Sequence, residues 1–76
     1  MKCIYEIKYE VRWESLEPKH WTEESLRVLS EEDALEAVNK AKEAALAQRR
    51  LDDSGRESRC TEFRLRGVIL VADAQL

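Results

Sequence analysis

The segment that decides the fold lies at the start of the chain, where residues 2–14 read KCIYEIKYEVRWE. Apolar and aromatic side chains occupy every second position from Cys3 to Trp13, and charged side chains lie between them, with Ile4 the one exception. Successive side chains of a β-strand point to opposite faces, so this alternation predicts a strand with one buried and one solvated face. A sheet with one solvated face is typically antiparallel.

Working outward from this strand, the sequence predicts two more strands and one helix. Residues 15–19, with Pro at the fourth position, predict a hairpin connection to a second strand over residues 20–29. Residues 30–33 (SEED) resemble a capping box, with Ser30 as the cap, and they open a predicted helix over residues 34–51, which are rich in strong helix formers. A third strand is predicted from about residue 59 to residue 72.

The element order β-β-α-β predicts a two-layer α+β fold. We expect an antiparallel three-stranded sheet in the order 2-1-3, because that order makes all neighbouring strands antiparallel and lets the helix cross over the central strand. The helix is expected to pack on the face that carries Tyr5, Ile7, Tyr9 and Val11. On the other face, the charges of the first and third strands are expected to form cross-strand ion pairs.

Size and composition indicate one small globular domain, residues 1–76. The chain is 43% hydrophobic and 38% charged, with two glycines and one proline, which is not the composition of a disordered segment. The net charge of −3 does not by itself imply binding to nucleic acid or to a membrane. The chain lacks a signal-peptide pattern and a long apolar run, and its two cysteines suit a reducing compartment, so we expect a soluble, cytoplasmic protein.

The third strand provides the first candidate site, because its sequence becomes apolar at every position from Val68 to Ala72. Strict alternation would place Val68, Leu70 and Ala72 on the outer face together with Cys60, Glu62, Arg64 and Arg66. An edge strand with an uncovered apolar face predicts association with a second copy. The alternative is that the C-terminal residues 73–76, or the hairpin loop, cover this patch.

Two leucines of the predicted helix are a second candidate for the same partner or dimer surface. Leu35 and Leu46 fall on a stripe separated from the alanine-rich side of the helix. They either face a partner or reach the edge of the sheet, with neighbouring basic side chains lying over apolar surface.

Aromatic residues at the predicted hairpin end form a third candidate. Trp13, His20 and Trp21 are expected at the same end of the sheet. Such clusters occur at binding hot spots. The alternative, which is more common, is that the two tryptophans close the end of a thin core, with each indole N–H at the rim.

The arginines of the second half of the chain suggest nucleic-acid binding as an alternative function. The candidate contacts are Arg49, Arg50, Arg56, Arg64 and Arg66. Proteins that bind single strands combine such charges with exposed aromatic rings, and the predicted outer face of the sheet carries none. Acidic residues also lie among these arginines, which makes nucleic acid an unlikely partner by sequence.

No catalytic or metal-binding motif is present in the sequence. It contains no CxxC, HExxH, glycine-rich phosphate loop or GxSxG, and it has a single histidine. Cys3 and Cys60 are expected at opposite ends of neighbouring strands and on opposite faces, which argues against a disulfide or a shared metal. The sequence therefore predicts a non-enzymatic domain without catalytic residues, metal or cofactor, which acts as a homodimeric protein-protein interaction or adaptor module.

Overall fold

The computed structural model describes residues 2–14, 20–51 and 54–73, which form one α-helix and one antiparallel β-sheet. The fold is therefore α+β, as the sequence predicts. The strands follow the order β2-β1-β4-β3, and all three neighbouring pairs are antiparallel. The elements are β1 (Cys3–Trp13), β2 (Thr22–Ser30), α1 (Ala34–Leu46), β3 (Arg49–Leu51) and β4 (Glu57–Asp73).

The prediction of three strands in the order 2-1-3 is wrong by one strand, β3, although β2, β1 and β4 do take the predicted arrangement. The helix was expected to continue to residue 51, but it ends at Leu46 with Ala47 as its C-cap. The next residues, Arg49–Leu51, pair with the start of β4, and Gly55, with a φ of 81°, lies in the turn between them. Strand pairing thus overrides the helix propensity of this segment.

The helix begins at a different cap from the one predicted. Asp33 is the N-cap, and its carboxylate accepts a hydrogen bond of 2.9 Å from the backbone N–H of Glu36. Ser30 supports this cap from the end of β2, because its hydroxyl donates to the Asp33 carbonyl at 2.8 Å. Asp is as good a cap as Ser, so the cap lies three residues later than predicted, while the helix begins at Ala34 as the sequence predicts.

The pairing of β1 with β4 is interrupted at three places. The register shifts between Ile4 and Tyr5, between Lys8 and Tyr9, and between Arg12 and Trp13. At each shift one residue of β4 has no opposite residue on β1. These three extra residues are Thr61, Arg66 and Val71. Each shift is a β-bulge, which bends the strand and changes the parity of the side chains that follow it. Gly67 lies directly after the bulge at Arg66.

The core lies between the helix and the alternate side chains of β1. The buried apolar residues are Ile7, Tyr9, Val11, Trp13, Val28, Ala37, Ala41, Ala45 and Cys60. The three alanines are fully buried, and their small side chains let the helix approach the aromatic face of the sheet. Tyr9 stacks on Phe63 with ring centroids 5.0 Å apart. The predicted buried face of β1 is confirmed.

Two predicted features lie outside the described residues. They are the hairpin connection at residues 15–19 and the C-terminal residues 74–76 that were considered as a cover for the apolar strand.

Candidate interaction surface

The second half of β4 carries the most distinctive surface of the domain. Opposite residues in an antiparallel pair share a face, and Val68 lies opposite Ile7 while Leu70 lies opposite Tyr5. Val68 and Leu70 therefore belong to the helix-bearing face of the sheet, and their predicted position on the outer face is wrong. The reason is the bulge at Arg66, which shifts the parity of the strand. Ala72, opposite Ile4, does lie on the outer face, together with Ile69.

Residues 67–72 are hereafter the β4 apolar segment, and its residues from Val68 to Ala72 are exposed, with side chains on both faces of the sheet. The exposed fraction is 38% for Val68, 45% for Ile69, 57% for Leu70 and 41% for Val71. Leu65, just before the segment, is 44% exposed and lies opposite Tyr9 on the helix-bearing face. Contiguous exposed apolar surface of this kind usually marks an interaction site.

One edge of β4 is open along this segment. β3 pairs with β4 only at residues 57–59, and β1 occupies the other side of β4 from Cys60 to Asp73. Within residues 2–14, 20–51 and 54–73, no strand pairs with the β3 side of β4 beyond Arg59. An open, apolar edge strand is a template for pairing with another chain.

The two helix leucines occupy different environments. Leu35 is 66% exposed, on the part of the helix surface that also carries Glu32, Glu36 and Asn39. Leu46 is half-buried and packs against the core. Leu46 thus has a structural role, while Leu35 is an isolated exposed leucine at the start of the helix.

The three residues of the predicted aromatic patch do not cluster. Trp13 is buried on the helix-bearing face, where the Arg50 guanidinium lies 4.2 Å from the centre of its ring. Trp21 is half-buried on the outer face, where Arg64 and Arg12 lie 4.1 and 5.1 Å from its ring centre. His20 is exposed. Trp13 therefore closes one end of the core, and the expectation that the outer face has no aromatic ring is wrong.

Ion pairs cover the outer face beside Trp21. Arg12 bonds to Glu62 at 3.0 Å, and Arg64 donates twice to Glu10 Oε1, at 2.8 and 3.0 Å. Arg66 approaches the same carboxylate at 3.6 Å, and the Glu10 side chain is only 12% exposed beneath the two arginines. This confirms the predicted cross-strand ion pairs. Exposed pairs contribute about 0.2–1 kcal/mol each, so they mainly keep this face solvated and in register.

The arginines proposed as nucleic-acid contacts are not gathered into one patch. Arg49 pairs with Glu57 at 3.6 Å on the short hairpin, while Arg50 stacks on the buried Trp13. Arg64 and Arg66 lie on the outer face, and Arg56 lies between β3 and β4. The fold therefore divides these charges among three places.

A small polar cluster lies beneath the end of the helix. Glu24 accepts a hydrogen bond of 3.1 Å from the Gln48 amide and also interacts with the Tyr9 hydroxyl. Burial, and then the Glu24 carboxylate, raise the pKa of Tyr9 to about 12. Burial and Glu24 also raise the pKa of the Cys60 thiol. A thiol whose pKa is raised is a poor nucleophile, so Cys60 has a structural role.

A shallow groove of about 610 Å³ lies where Ser25, Lys8 and Gly67 form a row across β2, β1 and β4. The surface is recessed along this row because the side chain of Ser25 is small and Gly67 has none. The groove is lined by Lys8, Tyr9, Glu23, Glu24, Ser25 and Arg66. Two carboxylates and two cations lie in this lining, so it has no clear preference for an anionic or a cationic ligand.

Cys3 and Cys60 lie at opposite ends of the sheet, as predicted, and no disulfide joins them. Both lie on the helix-bearing face, however, because the bulge at Thr61 shifts the parity of β4, so their predicted opposite facing is wrong. Among the described residues, no group of three or more His, Cys, Asp or Glu side chains could hold a metal ion. No helix in the described part of the chain has the length and apolar character needed to cross a membrane.

Sequence reasoning missed Ile69, Val71 and Leu65 as surface residues and the outer-face position of Trp21. The continuous apolar run after Gly67 was the available signal for the first two. Comparison of the chain with models of protein families, with curated proteins and with solved structures finds no match.

Proposed function

We propose that this chain is a non-enzymatic protein-protein interaction domain that forms a homodimer through the β4 apolar segment. The observation that carries the proposal is the exposure of Val68, Ile69, Leu70 and Val71 on both faces of one strand, along one edge of which no other strand pairs within the described part of the chain. Burying such side chains against a partner contributes roughly 25 cal/mol per Å² of apolar surface. A partner protein can remove this surface from water on both faces at once.

The small size of the core supports self-association as the form this binding takes. The chain has 76 residues, and among the residues that the structure describes, three of the nine buried apolar ones are alanines. Domains of this size bury a smaller fraction of their surface than larger ones and are often stabilised by association. A second copy is also the one partner present wherever the chain is present.

The non-enzymatic part of the proposal is supported by the chemistry of the described side chains. Cys60 is buried with a raised pKa, and the carboxylates of the outer face are engaged with arginines. A cytoplasmic location is part of the same proposal. It is supported by the absence of a disulfide between Cys3 and Cys60, which suits a reducing compartment.

The oligomeric state of the Ile69→Lys, Leu70→Lys double variant tests the dimer. We expect the unchanged chain to scatter light as a dimer of the 8.9 kDa subunit and to dissociate on dilution. The double variant should remain an 8.9 kDa monomer with an unchanged circular dichroism spectrum, because two charges replace exposed apolar side chains at the interface.

Leu51→Lys provides the matched control, since Leu51 is 72% exposed but lies on β3. This variant should dimerise like the unchanged chain. A monomer of 8.9 kDa for the unchanged chain at high concentration would exclude the proposal. Unfolding of the double variant would instead place Ile69 and Leu70 in the core, and a double variant that still dimerises would exclude this surface.

Single-stranded nucleic-acid binding is the second candidate, and the position of Trp21 favours it. This ring lies on the outer face against Arg12 and Arg64, an arrangement that base-stacking proteins use. It ranks second because Glu10 and Glu62 neutralise the same arginines. Binding to random oligonucleotides over a salt series tests it, since phosphate-driven affinity falls steeply with salt. Absence of binding at low salt would exclude this function.

A further inference from the structure

We propose that the two copies join edge to edge, with β4 pairing antiparallel to β4 of the second copy and the two-fold axis passing at Ile69. This inference rests on the proposed homodimer and specifies its geometry. The alternative geometry is packing of one sheet face against the other.

The open side of β4 has one stretch that suits strand pairing. Bulges interrupt a ladder and protect an edge, and β4 has them at Thr61, Arg66 and Val71. Between the second and third bulges, residues 67–70 pair with β1 without interruption. This regular stretch lies within the β4 apolar segment, so the part of the edge with regular geometry also carries apolar side chains.

The position of the axis follows from the facing of the side chains. Residues directly opposite in an antiparallel pair point to the same face, so a two-fold axis must bring a residue opposite its own copy. With Ile69 at the axis, Val68 lies opposite Leu70 of the second copy on the helix-bearing face. Ile69 lies opposite its copy on the outer face, and Gly67 lies opposite Val71. All five positions from 67 to 71 then meet apolar or glycine partners.

The arginines of β4 disfavour registers whose axis lies closer to the first half of the strand. With the axis at Ile69, Arg66 lies opposite Ala72 of the second copy. With the axis at Leu65, Arg66 would lie opposite Arg64 of the second copy, and like charges directly opposite each other are destabilising. With the axis at Val68, Arg66 would lie opposite Leu70 and would replace an apolar pair. The Ile69 register keeps the arginines outside the apolar pairing.

The other edge of the sheet, β2, is less suited to the same role. It exposes Leu26 and Leu29, but it also carries Glu23, Glu24 and Arg27. Charged residues on an edge strand discourage pairing with another chain. β2 thus has charges along its length, whereas residues 67–71 of β4 have none.

Cysteine cross-linking tests the register. In a background with Cys3→Ser and Cys60→Ala, mild oxidation should convert the non-covalent dimer of an Ile69→Cys variant to a disulfide-linked dimer. Directly opposite Cα atoms lie about 4.5–5.5 Å apart, within the range of a disulfide. Ser25→Cys, at the centre of the β2 edge, is the matched control and should stay uncross-linked.

A mixing experiment distinguishes the Ile69 axis from neighbouring registers. Val68→Cys and Leu70→Cys should each give little covalent dimer alone, because a residue and its own copy would be diagonal neighbours at about 7–8 Å. A mixture of the two variants should give the mixed disulfide. Cross-linking of Val68→Cys alone would overturn the register, and cross-linking of Ser25→Cys in place of Ile69→Cys would overturn the choice of edge.

Hydrogen exchange in the unchanged chain provides a test that needs no substitution. Amide exchange at residues 67–71 should accelerate on dilution, and exchange in Thr22–Ser30 should not. A dimer by light scattering without cross-linking at Ile69 and without this protection would overturn edge pairing and leave the proposed homodimer standing. A monomer at all concentrations would overturn both.

Discussion

The two halves of β4, residues 57–66 and 67–73, belong to one strand, but the rest of the described chain covers them to different extents. In the first half, Ser58 and Cys60 are buried and Phe63 stacks on Tyr9 beneath the helix. In the second half, residues 68–71 are all exposed although all are apolar. The difference lies in what covers them, since the helix packs on the aromatic part of the sheet and β3 extends only along residues 57–59.

Within one strand, an apolar sequence therefore does not ensure that the side chains are buried. In the first half, Glu62 and Arg64 alternate with apolar residues. On the apolar side, Cys60 is buried and Phe63 packs against the core. In the second half, apolar side chains lie on both faces of the strand, and the described chain leaves them exposed. A strand that is apolar on both faces is typical of a sheet covered on both sides, and here the described chain provides a single layer of helix.

The largest expected difference between the halves concerns truncation of one side chain in each. Phe63→Ala should lower the free energy of unfolding by about 3 kcal/mol, at the lower end of the usual range because Phe63 is only partly buried. Leu70→Ala should lower it by about 1 kcal/mol or less in the monomer, because Leu70 is 57% exposed. Urea unfolding at a concentration at which the chain is monomeric measures both values.

Leu70→Ala should nevertheless weaken the dimer more than Phe63→Ala does, when both are compared by sedimentation. Equal losses of monomer stability for the two variants would show that Leu70 belongs to the core, and the contrast between the halves would then fail.

The second prediction concerns the covered part of the sheet, where burial and Glu24 raise the pKa of Tyr9 from 10.0 to about 12. A tyrosine with a raised pKa in the folded state contributes stability below pH 10 that is lost as the pH rises through the folded pKa. Between about pH 10 and pH 12 the stability should therefore fall, and Tyr9→Phe should remove part of that fall.

Urea midpoints at about pH 9, 10 and 11 provide the measurement. Tyr5→Phe serves as the control, which should retain the pH dependence of the unchanged chain. In that variant Tyr9 is the remaining tyrosine, so its ionisation can also be followed by ultraviolet absorbance. A midpoint near 10 in the folded protein would contradict the raised pKa.

The smallest expected effect concerns Gly67, at the boundary between the two halves. A Cβ atom at this position meets no atom within 4 Å, and the backbone is not in the left-handed region. Gly67→Ala should therefore raise the free energy of unfolding by about 0.5 kcal/mol, through the reduced freedom of the unfolded chain. Gly55→Ala is the contrasting variant, because a φ of 81° at Gly55 strains an alanine, and it should be destabilising. Thermal unfolding of both variants measures the difference in sign.

The parts of the fold that follow from local pattern could be predicted from the sequence. Strict alternation over Cys3–Trp13 predicts the buried face of β1, and the alanine-rich stretch predicts the helix and its packing side. The short strand Arg49–Leu51 could not be predicted, because its residues are good helix formers and its structure depends on pairing with a segment farther along the chain.

Only part of the candidate site could be predicted, because the rest also depends on pairing between distant segments. The apolar run after Gly67 shows that the segment is apolar on both faces. Strict alternation from the start of the strand, however, assigns Val68 and Leu70 to the outer face instead of the helix-bearing face. A bulge is defined by the partner strand, since the extra residue is extra only in relation to β1. The outer-face position of Trp21 depends in the same way on the register of β2 with β1.

The bulges also bear on how the length of this chain can vary. Each bulge residue (Thr61, Arg66 or Val71) lacks an opposite residue on β1, so its removal would leave every other β1–β4 pair in place. A deletion between two bulges would instead turn the following side chains to the other face. β4 thus contains three positions at which the chain can lose a residue without changing which side chains it buries.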